Sequence, residues 1–252
     1  MKIIVKSAVL AAVVASPFVL ADGHEESRLE ASGNVAFATD YVFRGISQSD
    51  SRMSIQGGLD LGYALTDSIS VYAGTWASNV DFNDGDKTSA EFDAYAGFSG
   101  NVLGIDWDLG GLGYIYPGEH DYDYAEVYGS LGHSFDLGGV QPSVAVGVNY
   151  SPDNFGGSGD AFYGWTNIDI GLPSNWIPGD VTLNMHGGRQ WIQDNATFGT
   201  PDYWEWSAGM TYTVLGFDLG VHYHDTELND NECFGGTSLC DARVVATVGR
   251  AL

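Results

Sequence analysis

The sequence predicts an all-β protein: one antiparallel, up-and-down transmembrane barrel of about twelve strands. Three observations carry this reading. Apolar and polar residues alternate with period two in a long series of short runs, as in strands with two unlike faces. The connections between runs are alternately short and long, the arrangement of an outer-membrane barrel with tight periplasmic turns and larger extracellular loops. Beyond the N-terminus nothing approaches the roughly 18 consecutive apolar residues of a membrane helix.

The N-terminus is set apart first. Lys2 and Lys6 precede the apolar stretch "SAVLAAVVASPFVLA", and Val19-Leu20-Ala21 has the small-residue form of a cleavage site. Residues 1–21 therefore read as a cleaved signal peptide that exports the chain, and with the barrel pattern the expected location is the outer membrane of a Gram-negative bacterium. Residues 22–32 are expected to be a short periplasmic segment and residues 33–252 the barrel.

The runs follow in order. In the first, Val35, Phe37, Thr39, Tyr41 and Phe43 share one face, against Asn34, Ala36, Ala38, Asp40 and Arg44. It is expected to be one strand, with Tyr41 and Phe43 towards lipid. Next, Met53, Ile55, Leu59, Leu61 and Tyr63 oppose Gln56, Gly58 and Asp60, and Ile69, Val71 and Ala73 oppose Tyr72. Phe92, Ala94 and Phe98 oppose Glu91, Asp93 and Tyr95; Ile105, Trp107 and Leu109 oppose Asp106 and Asp108. Val127 and Leu131 oppose Glu126 and Tyr128; Val144, Val146 and Val148 oppose Ser143 and Asn149. Ile168 and Ile170 oppose Asn167 and Asp169; Val181, Leu183 and Met185 oppose Asn184 and His186. Trp204, Trp206 and Met210 oppose Glu205, Leu219 and Val221 oppose Asp218 and His222, and Val244, Ala246 and Val248 oppose Arg243. Short turns fall at 65–68, 99–104, 136–140 and 214–216, with a longer one at 173–180. Polar, Asp/Gly-rich loops occupy 45–52, 79–90, 116–123, 151–160, 190–203 and 225–242. Aromatics crowd the strand ends, as in the girdles at membrane interfaces.

The segment "TDYVFRGISQSD" (39–50) resembles the opening motif of the TorF-type porin family of proteobacteria. That resemblance implies an outer-membrane barrel with a channel role. The C-terminus departs from the common aromatic ending: "VVATVGRAL" closes on Leu252, and Arg250 falls in the lipid-facing frame, tolerable only at the interface.

A net charge of −24 excludes charge-driven binding of nucleic acid or anionic lipid and favours cations. The expected lumen-facing acids are Asp40, Asp60, Glu91, Asp93, Asp106, Asp108, Glu126, Asp169, Glu205 and Asp218, against Arg44 and Arg243. Such a wall predicts passive diffusion of small hydrophilic solutes with a preference for cations, within outer-membrane lipid. Asp40 and Arg44 are expected to pair, with Asp60 or Asp218 as further partners of Arg44. The alternative is a closed structural or adhesive barrel, its acids paired with Tyr and Ser hydroxyls and its long loops binding partners.

Cys233 and Cys240 are expected to form a disulfide in the last extracellular loop. No cofactor or metal is expected. The cysteine spacing does not suit zinc, His222 and His224 offer two ligands from one strand, and Gly85 is misplaced for a calcium loop. The six histidines are not set beside Ser in an arrangement suited to attack at the outer rim, so the chain is not expected to be an enzyme.

Overall fold

The computed structural model describes residues 28–85, 87–176 and 179–252. The signal segment 1–21 and most of 22–32 lie outside the described residues. The strands are β1 (Leu29–Ala38), β2 (Val42–Phe43), β3 (Ile46–Ser47), β4 (Ser54–Thr66), β5 (Ile69–Asn79), β6 (Ala90–Val102), β7 (Ile105–Ile115), β8 (Tyr124–Ser134), β9 (Gln141–Ser151), β10 (Ala161–Leu172), β11 (Asp180–Ile192), β12 (Tyr203–Val214), β13 (Phe217–Thr226) and β14 (Arg243–Ala251). Twelve of them close an antiparallel barrel in sequence order, and β2 and β3 form a separate hairpin. β1 begins at Leu29, inside the segment expected to precede the barrel.

Closure is made by the first wall strand. Phe37 of β1 faces Ile55 of β4 on one side and Val248 of β14 on the other. Closing the sheet leaves no unpaired edge, which a lipid-exposed backbone requires. The tight turns are built the same way. Leu103-Gly104 has φ 54° and 84°, and Leu215-Gly216 has φ 53° and 78°. Two central residues at positive φ match the twist of the flanking strands.

Alternation sorts the side chains. Phe37, Ile55, Leu59, Phe98, Leu109, Val127, Met210 and Val248 stand exposed on the outside, where a soluble protein would not leave a continuous apolar belt. Near the long-loop rim the belt turns aromatic: Tyr150 packs on Phe162 at 4.7 Å and Trp206 on Tyr223 at 5.1 Å. At the opposite rim Arg250 lies over the Phe217 ring at 5.0 Å, which keeps its charge at the edge of the belt.

The motif at 39–50 does not continue β1. Ala38, paired with Ser54, ends the wall ladder, and the chain then turns inward. Val42 pairs with Ser47 and Phe43 with Ile46 around Arg44-Gly45, whose φ values are 47° and 80°. This is the positive-φ turn of the two wall hairpins, used inside the barrel. The expected single strand is therefore two elements. Tyr41 and Phe43, expected to face lipid, are inside: Tyr41 is 3% exposed, and the Phe43 ring meets Tyr114 edge-on at 5.8 Å.

Candidate functional site: a hairpin across the lumen

The hairpin is rooted beside β1 and ends on the far wall. Around the ring, β8 to β11 stand opposite β1. Arg44 reaches them: one guanidinium nitrogen donates to both Glu126 oxygens at 2.7 and 2.8 Å, and the other to Gln190 Oε1 at 2.9 Å. The guanidinium also lies over the rings of Phe43 (4.7 Å) and Tyr163 (4.3 Å). Glu126 accepts further from Tyr114 at 3.2 Å and Asn149 at 2.9 Å. A buried carboxylate with this many donors is fully engaged.

The root is held by the other lumenal arginine. Arg243 donates to Asp40 at 2.6 Å, and Asp40 accepts from the hydroxyls of Ser47 (2.7 Å) and Ser49 (2.9 Å). Arg243 also donates to the carbonyls of Ser238 and Leu239, and Ser47 N donates to Leu239 O at 2.8 Å. Those carbonyls belong to the loop closed by the Cys233–Cys240 disulfide. Ile46 packs with Tyr203, Leu239 and both cysteines in one apolar cluster. On its return the chain is tied to the next loop, with Asp81 N donating to Gln48 O at 2.8 Å and Arg52 paired with Asp81 at 2.5 Å.

The turn fits tightly. A Cβ on Gly45 would sit 2.5 Å from Thr226 Cγ2 and 2.7 Å from Glu205 Cβ. Tyr41 and Tyr116 both donate to Glu91, at 2.7 and 2.6 Å. Burial, reinforced by the Glu91 charge, pushes both phenols well above their ordinary range, so both remain protonated donors.

Asp40 and Arg44 thus bond to different partners and do not pair. Arg44 takes neither Asp60 nor Asp218. Asp60 accepts from Tyr95 at 2.5 Å and Asp218 from Thr213 at 2.5 Å. Asp106 accepts from Asn101 (2.7 Å), Asp108 from Tyr72 (2.6 Å) and Asp169 from Asn184 (2.7 Å). Glu205 is held by Tyr163 and by His186. Asp93 keeps one buried oxygen with no hydrogen-bond partner among the described residues. His222 and His224 stand 6.3 Å apart between ring centres, and no metal-holding cluster of His, Cys, Asp and Glu forms among the described residues.

Burial divides these acids. Glu91, Asp93, Glu126 and Glu205, level with the hairpin, are only 2–3% exposed. Asp60, Asp108, Asp169 and Asp218 are half-buried and Asp106 is exposed. The acids at the long-loop end are therefore enclosed, whereas those nearer the turns keep partial exposure. Tyrosine hydroxyls on the acids are the pairing that the closed-barrel alternative expects, whereas Gln190 as a partner of Arg44 was not expected from the sequence.

Among solved structures, LpxR from Salmonella typhimurium has a TM-score of 0.50 at 12% identity, over 88% of this chain and 99% of that one. The NanC porin gives 0.49 at 8% identity, over 88% and 98%. The COG4313 outer membrane channel from Pseudomonas putida F1 gives 0.47 at 13% identity, over 92% and 100%. At such identities the likeness is one of fold alone. A search of curated proteins finds no match. The sequence itself is more specific: over residues 22–252 the chain belongs to Gcw_chp, a bacterial protein family of unknown function.

Proposed function

We propose that this protein is an outer-membrane channel for small hydrophilic solutes, cation-preferring, and held shut at its long-loop end by the hairpin of residues 39–50. The observation that carries the reading is the contrast between the two ends of the lumen. The acids level with the hairpin are buried, several nearer the turns keep partial exposure, and the hairpin crosses the lumen at the buried level. A wall rich in acids lowers the energy of a passing cation and raises that of an anion. The resemblance of residues 39–50 to TorF-type porins supports the same reading, and in this chain that motif is the closing segment itself.

The seal is made of separable bonds rather than continuous sheet. β2 and β3 pair only with each other, so the hairpin can leave without breaking the wall ladder. A second reading, a sealed structural or adhesive barrel, draws on the complete enclosure of Ser47 and Ser49.

Reversal potentials in planar bilayers across a tenfold KCl gradient test the proposal. Purified protein, opened by Gly45→Ala, should give a potential of the sign of cation flow. A potential on the anion side would remove the cation preference. Silence of both wild type and Gly45→Ala would leave the sealed barrel.

A further inference from the structure

Above the hairpin, on the long-loop face, the chain frames a partly open cavity of about 290 Å³. Its wall includes Phe43, Phe82, Tyr122, Phe155, Phe198 and Phe234. These rings come from the hairpin and from five different loops, and the five loop rings touch in a continuous band. Phe82 meets Phe155 edge-on at 5.5 Å, Tyr122 stacks on Phe155 at 4.4 Å, Phe155 meets Phe198 at 6.4 Å, and Phe198 meets Phe234 at 5.8 Å. All six are half-buried. They stand apart from the barrel wall strands, so the lipid belt does not account for them.

We infer that this cup is a binding site for a small organic cation with a flat apolar body, of the arylalkylamine class. Well-packed protein leaves few voids larger than a water molecule, and an aromatic cavity with a few polar groups is the usual make-up of a small-molecule site. Charge selects the sign of the ligand. Arg44 lines the floor, but its guanidinium is already engaged by both oxygens of Glu126 and offers no free charge to an anion. Asp84 is part of the lining and is exposed; it accepts from Tyr122 at 2.9 Å and carries its carboxylate charge to the rim. The long loops around it hold Asp and Glu far in excess of Arg44, Arg52 and Lys87. That field concentrates cations at the mouth and repels anions. Ring faces then attract the cation through their quadrupoles, while the flat body stacks in the apolar part of the cup. The site stands whether or not the lumen conducts.

Isothermal titration of the full chain in detergent tests it with three probes of one shape: 2-phenylethylammonium, the neutral 2-phenylethanol and the anionic 3-phenylpropionate. The ammonium should bind saturably, one per chain, and about tenfold tighter than the alcohol, with no heat from the carboxylate. Phe155→Ala should weaken the ammonium by about tenfold, while heat-modifiable gel migration reports an intact barrel. Asp84→Asn should weaken the ammonium and leave the alcohol unchanged, which decides the matter should Phe155→Ala not fold. Equal binding of the three probes, no saturable heat from the ammonium, or wild-type affinity in folded Phe155→Ala would each overturn the site.

Discussion

Arg44 shows how much one residue does here. It sits in the left-handed region, which favours glycine, and its charge is buried. Its side chain is 8% exposed and that of Glu126 1%, so each depends on the other. Removing one member of such a pair strands the other charge at a cost of about 3 kcal/mol. Glu126→Gln should therefore leave a folded barrel with a loosely seated hairpin. Amide exchange over residues 42–47 should accelerate by about 100-fold while the wall strands are unchanged; unchanged protection would mean that the Asp40 end alone holds the hairpin. Gly45→Ala acts by shape. The new methyl meets Thr226 and Glu205 at distances real side chains avoid, at a φ that alanine adopts poorly. Channel openings should become longer and more frequent than in wild type; a Gly45→Ala trace with wild-type closed times would show that the turn does not touch the seal.

At the scale of elements, the wall was legible and the hairpin was not, for one physical reason. Lipid enforces a strict two-residue alternation, so Phe37, Leu59, Leu109 and Val248 announce their faces. Inside the lumen the hairpin keeps the same period, because β2 and β3 are strands too. "YVFR" therefore read on as wall. The signal that separates them is the residue-Gly pair between apolar neighbours. "VLGI" and "VLGF" turn at Leu103-Gly104 and Leu215-Gly216, and "FRGI" turns at Arg44-Gly45. Alternation assigns each acid a face, and for Asp40 that assignment fails because β1 ends at Ala38. The partners of the acids depend on neighbouring-strand register and on how far a tyrosine reaches, which no single run contains. The disulfide loop belongs to this scale as well. The eight-residue ring constrains the unfolded loop by about 2.5 kcal/mol, and that loop supplies the carbonyls gripping Ser47 and Arg243. A Cys233→Ser, Cys240→Ser double variant should keep the wild-type barrel melting temperature yet open more often in bilayers. A large fall in barrel melting temperature would contradict a role confined to the loop.

For the whole molecule, charge and apolarity are divided by position. The belt facing outward is apolar with aromatic edges, most acids face inward or stand on the long loops, and Arg44 and Arg243 hold the hairpin and its root. Ala38 and Ser54 pair across the base of residues 39–53, so that stretch can be excised and replaced by a short polar turn without disturbing the ladder. The direct measurement is single-channel current of this excised chain beside wild type, in the same bilayer and salt. The account predicts a mostly closed wild type and a steadily conducting, cation-preferring excised barrel. An excised barrel that folds and stays silent would show that the wall side chains, and not the hairpin, close the lumen; a wild type already conducting to the same level would show that nothing does.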